Sequence, residues 1–148
     1  MSYEGAVYHY KLVDNESELK DAFRIRKRVF ITEQNIPPNL EYDEDDRTAL
    51  HMLAKDEQKA IGTARVLFLS NNQAKLERLA VLKSFRGRGI GSEIISFLEK
   101  ELKNQGVEKV ILHAQCRAIA FYKSCGYQET GTPFWEVGIK HIKMQKQL

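Results

Sequence analysis

Phe85-Arg86-Gly87-Arg88-Gly89-Ile90-Gly91 sets three glycines at alternate positions and is the strongest chemical pattern in the 148-residue chain. A backbone so bare of side chains bends sharply and lets a ligand come close to main-chain N–H groups. The residues after it, Ile90, Ile94, Phe97, Leu98 and Leu102, recur at helical spacing, and Gly106 is placed to end that helix in a left-handed turn. A glycine turn opening a helix aims several unpaired N–H donors and the positive end of the helix dipole at one point. An anion belongs there, and Arg86 and Arg88 beside it suit a multiply charged phosphate. Two familiar phosphate loops are excluded. No Gly-Lys-Ser or Gly-Lys-Thr ending is present, and Ser92 stands where a dinucleotide fingerprint needs its third glycine.

Other reactive side chains are less organised. Cys116 and Cys125 are the two cysteines, and they read as packed free thiols of a reducing, cytoplasmic compartment. His9, His51, His113 and His141 are scattered without ligand spacing, so no metal site is expected. Arg24, Arg26, Lys27 and Arg28 read as a solvated helix face, and Glu41-Tyr42-Asp43-Glu44-Asp45-Asp46 as a self-repelling acidic loop. The functional alternative for that loop is a rim attracting a cationic substrate. A formal charge of +3 and 43% hydrophobic content describe a soluble globular chain of one domain, residues 1–148, with no secretory start and no apolar run long enough for a membrane. Neither nucleic acid nor membrane is an expected partner, since the basic residues do not interleave with aromatics along one element.

The elements that must position the glycine turn follow in order. Ala6 to Val13 reads as a first strand, and Asn15 with Glu18 as the capping box of a helix running to about Gln34. The prolines of Asn35-Ile-Pro-Pro-Asn stop that helix. Thr48 to Lys55 and Lys59 to Leu69 form a hairpin, and Leu76 to Leu82 is the strand entering the glycine turn. Simple alternation along that strand puts Glu77 on one face with Leu79 and Val81. Lys109 to Gln115 is a strand reached through a helix, hence parallel to the one before it. Arg117 to Cys125 is a short helix closed by Gly126, and Tyr127 to Thr130 and Phe134 to Met144 are strands interrupted by a turn at Gly131-Thr-Pro133.

Arg86-x-x-Gly89-x-Gly91 after Leu79-Ala80-Val81 resembles the acetyl-CoA signature of the Gcn5-related N-acetyltransferases (GNAT). Ala118-Ile-Ala-Phe-Tyr-Lys-Ser-Cys-Gly-Tyr127 resembles the second block of the same superfamily, in the right order and about one strand further on. Arg28-Val29-Phe30 with Glu33-Gln34, Glu41-Tyr42-Asp43 and Gly138 to Met144 extend the likeness to an uncharacterised bacterial branch. The resemblance implies an α/β (α+β mixed) fold, a twisted mixed sheet of about six to seven strands with helices on both faces and splayed central parallel strands. Acetyl-CoA would lie in that wedge as cosubstrate, its pantetheine arm on the backbone of Leu79, Ala80 and Val81. Arg86, Gly87, Arg88, Gly89, Ile90, Gly91 and Ser92 would surround its pyrophosphate. By the same resemblance Tyr122 protonates the leaving thiolate, and Gln115 stands where many members carry asparagine.

For the base, His141 and Glu77 both stay open, while His51 and His113 read as structural. The implied activity is acetyl transfer to a primary amine by direct attack in a ternary complex, with a small-molecule or protein amine as acceptor. A non-catalytic CoA-binding or regulatory module is the alternative, and a homodimer stays open. A cationic acceptor drawn in by Glu41 to Asp46 is expected.

Overall fold

The computed structural model describes residues 7–148. Seven strands form one sheet in the order β1-β2-β3-β4-β5-β7-β6. They are β1 Tyr8–Leu12, β2 Leu50–Asp56, β3 Lys59–Phe68, β4 Gln73–Val81, β5 Lys109–Gln115, β6 Gln128–Glu136 and β7 Ile139–Gln147. Every neighbouring pair is antiparallel except β4 with β5, which helix α3 (Ile90–Asn104) connects. Ala6, where the first strand was expected to start, lies outside the described residues. No helix among the described residues is long and apolar enough to cross a membrane.

Helices cover both faces of the sheet. Met52 and Ala54 of β2 face the apolar stripe of α3, formed by Ile90, Ile94, Ile95, Leu98 and Leu102. Leu53, between them, faces Ala22, Ile25, Val29 and Phe30 on the other side. That second face belongs to helix α1 (Glu16–Arg26), whose Asn15 cap accepts a hydrogen bond from the Glu18 N–H at 2.9 Å. The Glu18 carboxylate reaches back to the Asp14 N–H instead of the Asn15 N–H, one residue off the expected box.

Three local expectations need correction. The first helix does not run on as an α-helix: Lys27–Glu33 is wound as a π-helix. The run contains three β-branched residues, Val29, Ile31 and Thr32, which favour the α-helix poorly. Secondly, the acidic segment is built into structure, with helix α2 over Pro38–Glu41 and a 3-10 turn over Glu44–Arg47. Thirdly, Gly131-Thr-Pro133 does not divide two strands. β6 absorbs it as a register slip between Thr130 and Phe134, where an edge position tolerates the missing N–H of proline. The hairpin turns at Val137 and Gly138, with φ of 47° and 75°, the pair of positive values a tight two-residue turn requires.

Candidate functional site

β4 and β5 pair from Gln73 opposite Lys109 to Leu76 opposite Leu112 and then part. Beyond that point residues 77–81 are bonded only to β3, and residues 113–115 only to β7. Main-chain groups on the facing edges are left for something else to satisfy. The parting is sharpened by a bulge. Arg65 lies opposite Glu77 and Thr63 opposite Ala80, so Arg78 and Leu79 together face one residue of β3, and Arg78 adopts φ 56°.

The extra residue reverses the alternation of β4. Leu76 packs in the α3 core, yet Ala80 packs in the α1 core, and Leu79 and Val81 lie against the α3 side. Glu77 therefore does not share a face with Leu79 and Val81, because the bulge adds one residue between them.

An open cleft of about 1040 Å³ fills the wedge. Every residue singled out for the site from the sequence lines it, except Arg88. The Arg88 guanidinium instead lies 4.9 Å from the Phe85 ring and donates to the Tyr8 hydroxyl at 3.0 Å.

At the glycine end, Gly87 and Gly89 take φ 79° and 81°, and Gly89 caps α3 in the left-handed region. A Cβ at either glycine would meet no atom within 4 Å, so open space lies over the turn. Gly91 is constrained differently. A Cβ there would come within 3.1 Å of Phe121 Cζ, so it secures the approach of α3 to helix α4 (Ile119–Ser124). The first N–H groups of the 15-residue α3 point out of the helix end with no intrahelical partner. Arg86 stays at the rim, donating to the Val81 carbonyl at 2.9 Å and pairing with Glu33 at 2.9 Å. Bare backbone donors at a helix start, an unpaired strand edge and one continuous cleft fit the acetyl-CoA that the resemblance implies.

The other end is crowded with ions. Arg26, expected on a solvated face, is 1% exposed and pairs with Glu41 at 3.0 Å and Asp46 at 2.7 Å. Arg65, equally buried, binds Asp43 at 2.7 Å, Asp46 at 2.8 Å and Glu77. Arg78 closes the network onto Glu41 at 3.1 Å and Asp43 at 3.3 Å. Burial would push the Asp46 carboxyl up, but Arg26 and Arg65 outweigh it and hold it at about 2. The acidic segment is therefore neither a loop nor a free rim of charge: three arginines pair with Glu41, Asp43 and Asp46, and of the exposed acids Asp43, Glu44 and Asp45 only Asp43 belongs to that network. Arg65 was not singled out from the sequence, although a lone arginine between Ala64 and Val66 in an apolar strand was the available signal.

The candidate catalytic groups lie on opposite faces of the sheet. Tyr122 packs with the α3 core, edge-on to Phe121 and Tyr127 at ring distances of 5.1 and 6.1 Å. Burial, with a contribution from Cys125, pushes its hydroxyl up, so it stays protonated. His141, 6% exposed, sits opposite Gln115 and Phe134 in its strand pairings, on the α1 face. Its Nδ1 lies 2.7 Å from the Ile139 carbonyl. A carbonyl only accepts, so Nδ1 carries the hydrogen and a neutral ring has its lone pair on Nε2.

Glu77 is placed poorly for a base. Burial would raise its carboxyl, but Lys75 at 2.9 Å and Arg65 reverse the shift and keep it low. Gln115 donates to Gln34 at 2.8 Å and accepts from Arg117 at 2.9 Å, tying the end of β5 to the π-helix. His51 holds the Asp46 carbonyl at 2.9 Å, whereas His113 lines the cleft and meets Glu136 at 3.3 Å. Neither cysteine lines the cleft, and burial pushes the Cys125 thiol up, away from nucleophilic use.

Residues 7–148 match the family described as the acetyltransferase (GNAT) domain. YjcF, an uncharacterized N-acetyltransferase of Bacillus subtilis (strain 168), is 40% identical over 136 residues, covering 91% of this chain and 96% of its own. A crystal structure from Lactobacillus plantarum has a TM-score of 0.91 at 24% identity, over 96% of this chain and 99% of the other. A Bacillus subtilis acetyltransferase in complex with CoA has a TM-score of 0.72 at 14% identity, over 96% and 99%. With that match spanning nearly all of a chain whose central strands part over a glycine-opened helix, this protein belongs to the GNAT acetyltransferases, acyltransferases that use acetyl-CoA and act on amine acceptors.

Proposed function

We propose that residues 1–148 act as one acetyltransferase domain that moves an acetyl group from acetyl-CoA to a primary amine by direct attack in a ternary complex. The observation carrying this reading is the position of Tyr122 and His141 on opposite faces of the sheet, both lining the gap where β4 and β5 part. Acetyl-CoA supplies a thioester whose carbonyl carbon takes the amine lone pair and whose sulfur leaves with the C–S electrons. The N–H groups of Gly87 to Ser92 hold its pyrophosphate, and the free edge of Leu79 to Val81 pairs with its amide-bearing arm. Ser92 keeps its own hydroxyl on the Gly89 carbonyl, at 3.1 Å, and so steadies the turn.

His141 takes the proton from the acceptor ammonium at Nε2, since Nδ1 is fixed on Ile139. Tyr122 delivers a proton to the departing sulfur, a task that requires a hydroxyl protonated at neutral pH. The attacking nitrogen gives up two protons, one to His141 before attack and one from the tetrahedral intermediate that replaces the proton Tyr122 gave to sulfur, so turnover releases one net proton to water by way of His141. Glu77, locked by Lys75 and Arg65, positions Arg65 and takes no proton.

The test is a thiol-release assay with acetyl-CoA against a panel of primary amines. Tyr122→Phe is expected to lower kcat by about a hundredfold or more while CoA affinity is retained. Absence of thiol release with every amine, together with no thermal shift from CoA, would overturn the reading. An unchanged kcat with chemistry rate-limiting would remove Tyr122 from it.

A further inference from the structure

The charges lining the cleft cancel almost completely. Arg65 is bound to Asp43 and Glu77, Arg78 to Glu41 and Asp43, Lys75 to Glu77, and Arg86 to Glu33. Arg117, outside these pairs, is held by Gln115 in the turn leading into α4. One carboxylate stands apart. The Glu136 side chain is 43% exposed and meets, among the described residues, only His113 Nδ1 at 3.3 Å. Burial and the nearby Lys75 lower the affinity of His113 for a second proton, so it donates a neutral N–H and leaves the negative charge on Glu136.

The surroundings of Glu136 are apolar and next to the candidate base. Phe134 lies edge-on to His113 at 4.9 Å and stacked on His141 at 6.1 Å, placing one aromatic ring between the two histidines. Ile139, the strand partner of Glu136, packs against the cluster holding Val29, Phe30 and Ile36, and its carbonyl is the group that fixes His141. A single hairpin thus carries an uncompensated carboxylate and the base into the cleft, beside an apolar wall of Val29, Phe30 and Ile36, with Phe134 behind the two histidines and outside the lining.

Resting on the acetyltransferase reading above, we infer that Glu136 is the specificity-determining anchor of the acceptor: the cleft takes a primary ammonium on an apolar aryl or alkyl body, held by Glu136 until His141 removes its proton, with the body against Val29, Phe30 and Ile36. The acidic 41–46 segment contributes no anchor, because its cleft-lining carboxylates, Glu41 and Asp43, are already paired with Arg26, Arg65 and Arg78. Aminoglycoside-like polyols and amino acids with a free carboxylate fit this wall poorly.

The test uses the full chain at saturating acetyl-CoA, with 2-phenylethylamine and n-hexylamine as acceptors, glycine as the carboxylate-bearing control, and 2-phenylethylamine binding in the presence of CoA as a second readout. Glu136→Gln is expected to raise KM for both amines by about tenfold, the worth of one charge-assisted hydrogen bond, with kcat, CoA affinity and Tm nearly unchanged. Added salt should raise KM in the parent protein and much less in the variant. Glu136→Asp should recover part of the loss. Unchanged amine KM and binding in Glu136→Gln, or glycine acetylated in preference to both amines, would overturn the inference. If amine binding depends on Glu136 but no thiol is released, the anchor stands and the transfer reading fails.

Discussion

The two ends of the cleft are built from different materials. At the glycine end the groups offered to a ligand are main-chain N–H donors from one stretch, Gly87 to Ser92, and their direction follows from two positive φ values and a helix start. At the other end the geometry depends on side chains far apart in sequence: Arg26, Glu41, Asp43, Asp46, Arg65, Glu77 and Arg78 meet in one network. The first end is a local property that tolerates open space around it. The second is a long-range ionic cluster in which each charge depends on partners from other elements. The stronger perturbation of the fold should therefore come from the network, and the stronger loss of cosubstrate binding from the turn.

The largest expected effect is Asp46→Asn. Removing the carboxylate shared by Arg26 and Arg65 leaves two buried guanidinium groups short of a partner, at a cost of about 3–5 kcal/mol. Thermal melts at neutral pH should show a large drop in Tm; a change within error would mean that the network is not one unit. The same variant also reports on pH. The Asp46 carboxyl sits at about 2 in the folded chain against an ordinary 3.8, so its contribution is complete above pH 3.8 and fades as pH falls through 2. The Tm gap between parent and variant should narrow over that window and stay constant above it.

Next comes Gly89→Asp, which attacks the other end. A thermal shift of about 2.7 kcal/mol at a hundredfold excess of CoA over its dissociation constant should vanish, because a negative side chain enters the anion position. The unliganded fold should lose only about 1–2 kcal/mol from the left-handed conformation at φ 81°. A retained CoA shift would break the contrast. The smallest effect belongs to Glu44→Gln, in the same acidic segment as Asp46 but exposed and paired, among the described residues, only with Arg47 at 3.4 Å. Its Tm should match the parent's, and the difference from Asp46→Asn would show that only the buried carboxylates of the segment matter.

Much of the fold was legible because it is written in local periodicity. The α3 stripe, the Gly106 stop, the β2–β3 hairpin and the parallel β4–α3–β5 unit follow from residue spacing and from glycine's access to positive φ. The glycine turn was legible for the same reason, since neighbours in sequence make it. Arg88 was expected beside the pyrophosphate, whereas its side chain meets Tyr8 and Phe85, because the direction of a side chain depends on what lies beside it. The bulge at Arg78 and Leu79 was hidden too: it depends on the register against β3, and it moves Leu79 and Val81 to the α3 face, away from Glu77.

By itself the sequence determined the element order, the backbone that can cradle an anion and the presence of Tyr122 and His141 in the segments where they lie. Tertiary structure alone decided which charges cancel and which remain. A carboxylate carries the same formal charge in any sequence, but its field depends on the cations packed within a few ångströms. Three of the five acids between Glu41 and Asp46 were paired with arginines 15 to 37 residues away, while Glu136 on an edge strand met only a histidine among the described residues, at the mouth of the cleft.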